Sequence, residues 1–343
     1  MRTAAVSFRH LLRLSDEVGL LEHAEGIVPR RDLGYCVDDV ARGLVAVCQA
    51  PDPAPELVTL ARRYLNFLSD AQADDGRFRN RLGYDRRWED EPGVDDCWGR
   101  AVWGLGVAAA RGPTPGVRTE ALRRFELGVR ARSPWPHAMA FAALGAASVL
   151  EALPDHAGSI ALLTDAARCI GEPPTSETWP WPLPRLTYAN AALAEATIAA
   201  GVTVGDQTVL ENGLRMLRWL LELQTRDGHL SVTPAAGYEI GDSLPAFDQQ
   251  PIEVAALADA CHRAALVTGQ TRWLSGLQLC VAWFLGANDA NIPMFDETTG
   301  GGCDGLSANG RNRNQGAEST IAAICTLRHG RGLGFSGPAE GTR

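Results

Sequence analysis

The chain has 343 residues, 45% of them hydrophobic and 21% charged, a balance that matches soluble globular proteins and excludes an extended disordered chain. A formal charge of −9 with no Lys/Arg-rich run excludes nucleic acid as the expected partner, because neutralising phosphates needs a basic surface. No apolar stretch reaches the ~18–20 residues that cross a bilayer, so no membrane partner is expected either.

In chain order, apolar residues at i, i+3, i+4 and i+7 dominate every long segment and strand signals are almost absent. The opening MRTAAVSFRHLLRLSDEVGL is broken at helical spacing by Arg9, Arg13, Asp16 and Glu17; it reads as an amphipathic helix over 4–20 and not as a signal peptide. Further amphipathic helices are predicted over 55–72, 117–131, 156–171, 206–225 and 270–287, each with one wet face. Between them lie helices that are small and apolar nearly all round, each opening on a polar cluster: YCVDDVARGLVAV at 35, VDDCWGRAVWGLGVAAA at 94, SPWPHAMAFAALGAASVL at 133, RLTYANAALAEATIAAG at 185, FDQQPIEVAALADAC at 247 and NQGAESTIAAICTL at 314.

Strict alternation of six outer and six inner helices predicts an all-α (α/α)6 toroid. Residues 1–330 are expected to form one domain, with a Gly-rich flexible tail over 331–343. Links from inner to outer helices are short (APDPAP, RGPTPG, AGVTVG, VTGQ), whereas 21–34, 73–93, 172–184, 226–246 and 288–313 are long. The long links therefore emerge on one face, where the inner helices begin, and long irregular loops commonly carry function.

Acids gather at those helix starts: Asp38, Asp39, Asp95, Asp96, Asp248 and Glu318. Each reads either as a helix cap or as a carboxylate held at a cavity rim by the helix dipole. Asp38 with Arg42 and Asp96 with Arg100 share i, i+4 spacing, as simple ion pairs or as acids oriented and kept ionised by an arginine. Tyr84, Trp88, Trp98, Trp179 and Trp181 offer stacking faces, and Asp85, Arg86, Arg100, Gln249, Gln250, Asn314 and Gln315 offer polar partners, the mixture that a sugar's C–H face and hydroxyls require. His137 is the one histidine on the rim, read either as a sugar contact or proton shuttle or as a hydrogen-bonded structural residue. Glycosidic cleavage needs two carboxyl groups; the rim offers enough acids for either mechanism and sequence does not fix the pair, with Glu318, in a mostly apolar helix, a candidate for a raised pKa and the acid role and the aspartates suited to the base.

No phosphate loop, GxSxG elbow or HExxH motif occurs, and DETTGGGCDG at 296 lacks EF-hand spacing, so neither cofactor nor metal is expected. The eight cysteines are scattered without CxxC spacing and read as small buried thiols of a cytoplasmic protein.

YCVDDVARGL at 35, FRNRLGYDRRWEDEPGVDDCWGRAVWGLG at 78, FDQQPIEVAALADAC at 247 and DGLSANGRNRNQGAEST at 304 resemble the six-hairpin (α/α)6 glycosidase-like superfamily. More closely, they resemble bacterial helical-toroid proteins associated with glycosyltransferases and mannoside-active enzymes. Cys97 and Trp98, after the acid pair, depart from that group's pattern. The resemblance implies a carbohydrate-active protein, with Asp38, Asp39, Asp96, Asp248 and Glu318 as its functional acids. The expected activity is hydrolysis of an oligosaccharide, possible mannosides included. The alternatives are a non-catalytic glycan-binding or scaffold partner of a glycosyltransferase, and an epimerase or lyase on the same toroid; an epimerase is disfavoured by a rim with one histidine.

Overall fold

The computed structural model describes residues 6–331; most of the expected tail lies outside the described residues. Among the described residues twelve α-helices are found: α1 (Arg9–Leu14), α2 (Val37–Cys48), α3 (Pro55–Ala71), α4 (Asp96–Arg111), α5 (Pro115–Gly128), α6 (Pro136–Ala152), α7 (Ala157–Ile170), α8 (Ala191–Val204), α9 (Gln207–Gln224), α10 (Pro251–Thr268), α11 (Thr271–Phe284) and α12 (Ala317–Arg331). The even-numbered helices pack each against the next, and α12 closes back on α2. The odd-numbered helices lie outside this ring. The protein is an (α/α)6 toroid.

Composition explains which helices go inside. Of the twelve residues of α2 only Asp38 escapes burial, and α6 and α8 are buried along nearly their whole length through runs of alanine. Close approach of the inner helices requires residues without side chains: a Cβ on Gly145 would stand 2.5 Å from the Val102 carbonyl oxygen of α4, closer than real atoms pack. Outer helices such as α3 and α9 bury one stripe only.

The first helix is shorter than the sequence predicts. It stops at Leu14, because the Asp16 carboxylate accepts hydrogen bonds from the Val18 and Gly19 amides (2.9 and 3.2 Å) and folds the chain into a turn, a local competition in which aspartate commonly wins over helix. Among the described residues strand is confined to five short antiparallel pairs, mostly within the long loops. All eight cysteines are free and seven are buried, as expected. Among the described residues no helix is long and apolar enough to cross a membrane.

Candidate active site

The ring's geometry brings the first turns of the inner helices to one end, where the long loops also converge. The side chains there do not cap the helices. The residues at the N-caps of α2, α4, α8 and α10 (Cys36, Asp95, Asn190 and Gln250) make no side-chain capping bond; among the outer helices α3 and α11 are likewise uncapped, while α5, α7 and α9 are capped by Thr114, His156 and Asp206. Asp95 is exposed and outside the cavity, whereas Asp38, Asp39, Asp96 and Glu318 face it.

They meet in a cleft of about 320 Å³ lined by Asp38, Asp39 and Arg42 from α2, Asp96 and Arg100 from α4, and Glu318 from α12, with Gln250 at the start of α10. Loop residues Glu22, His23, Arg81 and Asp304 complete the wall. Arg42 is the central link: it donates to Asp39 and to Glu318, both at 2.6 Å. Arg100 stands between Asp38 (3.5 Å) and Asp96 (3.8 Å), its guanidinium 4.5 Å above the Phe141 ring, a cation–π seat. The Tyr188 hydroxyl donates to Asp96 at 2.6 Å, and His137 stacks on Tyr188 with ring centroids 4.5 Å apart.

The i, i+4 pairing therefore holds for Asp96 with Arg100 but not for Asp38 with Arg42. Arg42 takes the Asp38 backbone oxygen (3.3 Å) and pairs instead with Asp39 and Glu318. The Asp38 carboxylate faces Arg100 of the next helix.

These contacts divide the acids electrostatically. Burial works to raise the Glu318 carboxyl, but Arg42 and then Arg100 hold it below the ordinary range. Burial raises Asp96 in spite of Arg100 and the Tyr188 hydrogen bond, and pushes Asp39 up to about 7 against its Arg42 partner. Glu318 is thus biased toward its anion and Asp96 shifted upward by burial, the reverse of the bias expected from the apolar sequence around Glu318. Burial also drops His137 to about 4, so it is neutral.

Several expected contacts lie elsewhere. Trp98 is fully buried and its indole N–H donates to the Gly128 carbonyl at 3.1 Å, because this face of α4 packs on α5. Trp179 and Trp181 are buried against Trp219 of α9 (centroids 5.0 and 5.9 Å). Gln249 is completely buried and bonds Asp289 at 2.6 Å; Gln315 bonds Thr299 and Asp296; Asn314 accepts from the Gly26 amide. These three amides hold loops together. Asp248 is exposed, three residues before α10, and does not line the cleft. Tyr84, Asp85, Arg86 and Trp88 also lie away from it: Tyr84 stacks on Tyr35, Trp88 packs edge-on against Phe67 of α3, and Arg86 pairs with Glu17.

Glu22, His23, Arg81 and Asp304 were missed as wall residues because they sit inside loops with no local pattern. Glu253, buried in the first turn of α10 and bonded by Asn190 at 2.9 Å, is pushed by burial to about 7; its place in a helix-start cluster was the available signal. The aromatic floor was missed too. Below the cleft an axial cavity shares Arg42, Arg100 and Glu318 with it and is walled by Trp103, Phe141 and Ile252, with Trp103 stacked on Phe141 at 6.2 Å.

No protein-family model and no curated protein matches the chain. Solved structures do. A sugar epimerase from a ruminal bacterium superposes with a TM-score of 0.71 at 12% identity, over 96% of each chain. Cellobiose 2-epimerase from Bacillus thermoamylovorans B4167 gives 0.69 at 12% identity, over 94% of this chain and 95% of that one. The cellulase Cel9M of C. cellulolyticum in complex with cellobiose gives 0.62 at 10%, over 92% and 88%. At such identities the likeness shows the fold, an (α/α)6 toroid, and not the reaction.

Proposed function

We propose that the protein is a glycoside hydrolase that cleaves an uncharged oligosaccharide in the cleft at the start of the inner ring, with Asp96 as general acid and Glu318 as the ionised carboxylate. The observation that carries this reading is the opposite bias of two carboxyls in one cleft, Glu318 held as anion by Arg42 and Arg100 while burial favours protonated Asp96. Pairs of acids pushed apart in this way are how one site supplies both acid and base. The toroids it resembles bear names of sugar epimerases, an isomerase and a cellulase, which supports a carbohydrate substrate.

In this scheme the glycosidic C–O bond breaks as Asp96 gives its proton to the departing oxygen. Tyr188 donates to Oδ2 of Asp96, which leaves Oδ1 for that proton. The Glu318 carboxylate stabilises the positive charge that develops at the anomeric carbon, and water supplies the hydroxyl and the proton that restore both sugar and acid. Turnover should be bell-shaped in pH, rising as Glu318 ionises below the usual carboxylate range and falling as Asp96 loses its proton.

A second reading, sugar epimerisation, is favoured by one observation. His23 lines the cleft with its Nε2 3.4 Å from Glu22, an imidazole that can move a proton beside a carbonyl. NMR of products from a panel of neutral disaccharides and oligosaccharides separates the two. Released monosaccharide is the expected result; inversion at C2 with the glycosidic bond intact would make the protein an epimerase, and bound but unchanged sugars would make it a binding protein.

A further inference from the structure

The axis of the toroid is not filled. Beneath the cleft the inner helices leave a cavity of about 50 Å³, walled by Trp103, Phe141, Leu144, Ile252, Ala256 and Ile321 among others. Phe141 and Ile252 belong to a small apolar cluster apart from the main core, and Trp103 and Ala256 pack against it while staying partly exposed. Both sit on inner helices, so the space they face is the hollow axis. The cavity meets the cleft at Arg42, Arg100 and Glu318, which border both. Unlike the two arginines, Glu318 keeps 37% of its side chain exposed, so the space beside it is open.

Below that rim the wall offers a hydroxyl little. The Trp103 indole N–H only donates and the Cys325 thiol is a weak partner, so a hydroxyl proton finds no good acceptor. Carboxylates return only at the far end. Asp259 lies seven residues beyond Ile252 on α10, roughly 10 Å of helix, and Asp259 and Glu195 are already bonded by His329 (2.7 Å) and Arg263 (2.8 Å). An apolar cavity of this kind stays dry and takes an apolar guest, and at about 10–15 Å³ for each water-sized group it holds roughly four such groups.

We infer that this cavity seats the exocyclic methyl group of a 6-deoxyhexose, which makes a 6-deoxyhexoside the preferred ligand of the cleft. The inference rests on the carbohydrate reading and deepens it, but does not depend on hydrolysis. A hexopyranose ring projects oxygen from every carbon except C5, which bears carbon. With the anomeric carbon beside Glu318, as in the scheme above, C5 lies just across the ring oxygen, and its substituent is the one nearest the opening at that carboxylate. A hydroxymethyl group would carry its hydroxyl into a wall without an acceptor, which is costly. A methyl group buries only apolar surface against Trp103 and Phe141, and the bare hydrogen of a pentose leaves the space empty.

The test is calorimetry on the whole chain with methyl pyranosides, both anomers, in three series that differ only at C5. These are L-rhamnose, L-mannose and L-lyxose; L-fucose, L-galactose and D-arabinose; and 6-deoxy-D-glucose, D-glucose and D-xylose. In any series that binds, the 6-deoxy sugar should exceed the hexose about tenfold and the pentose about fourfold. Ala256→Leu fills the cavity from a partly exposed position and should put the pentose first. Ala256→Ser supplies an acceptor with little change of size, so it carries the test if Ala256→Leu does not fold; it should bring the hexose within about threefold of its 6-deoxy partner. A hexose that binds the wild-type protein as tightly as its 6-deoxy partner, or a folded Ala256→Leu protein that keeps the full preference, would overturn the inference and leave the carbohydrate reading standing. No saturable binding in any series would remove both. Sugars that bind in the expected order but whose glycosides are never cleaved would sink the hydrolase reading alone.

Discussion

The toroid has two polar ends, and they are built on opposite terms. At the inner helices' C-terminal end a depression of about 300 Å³ is lined by Arg111, Glu151, Glu195, Asp259, Arg263 and His329 among others. Its charges are paired off: Arg111 with Glu151 (2.6 Å), Arg263 with Glu195 (2.8 Å) and His329 with Asp259 (2.7 Å), with Arg328 Nη1 the exception. Basic residues in the last turns of α4 and α12 suit helix C-termini, as carboxylates suit N-termini. At the mouth, by contrast, Arg42 and Arg100 are each shared between two carboxylates, and long loops replace short links. A cluster of ionisable residues is therefore not in itself a site; what marks the mouth is a surplus of carboxyls over arginines in a cleft beneath the long loops.

The largest expected effect tests that contrast by turnover. Asp96→Asn and Glu318→Gln should each lower kcat by roughly 10²–10⁴ with the fold intact by circular dichroism. His329→Gln at the other end should leave kcat within about twofold, while costing roughly 1–2 kcal/mol in urea unfolding for the lost bond to Asp259. A His329→Gln enzyme that folds but has lost turnover would erase the distinction between the ends.

Next comes the pH dependence of stability. Asp39 and Glu253 are raised by burial to about 7 from ordinary values near 4. For an acid raised on folding, the contribution is full below the unfolded pKa and is lost as pH rises through the folded one, since the unfolded chain releases its proton first. Tm should fall between about pH 4 and 7 on this account. Glu253→Gln removes one such group and should flatten the fall, by roughly 2–4 °C. Glu318, shifted the other way, weakens the protein only at lower pH. An unchanged slope in Glu253→Gln would mean that Glu253 is ionised in the folded state.

The alternation of helices was legible because it is written in composition: alanine-rich segments can only be the inner ring of a close-packed toroid. The carboxylates Asp38, Asp39, Asp96 and Glu318 were legible from their places at helix starts. Their protonation was not. The apolar run after Glu318 suggests a proton retained, yet the group that decides it, Arg42, is 276 residues away in the chain. Tryptophans misled for the same reason. Trp179 and Trp181 look like loop residues free to stack on a sugar until Trp219 of α9 is brought against them, and the aromatic floor comes instead from Trp103 and Phe141, which sequence treats as ordinary helix interior.

The smallest effect concerns the segment Tyr84–Trp88, whose rings and charges suggest a flap over the mouth. Its turn is held by its own bonds: the Gly83 amide donates to the Arg87 carbonyl at 2.9 Å, and the Arg87 amide to Asp85 at 3.2 Å. Trp88 is thereby laid on Phe67 at the outer helix α3, 5.6 Å between centroids, and Tyr84 on Tyr35. Tyr84→Ala, with a half-exposed ring, should change sugar affinity and kcat by less than about twofold and stability by roughly 0.5 kcal/mol. Trp88→Ala should cost more stability, since it strips Phe67 of its cover, but equally little affinity. A tenfold loss of sugar binding in Tyr84→Ala, with Tm unchanged, would mean that this segment folds over the cleft when ligand is bound, and the mouth would then extend well beyond the ring of helix starts.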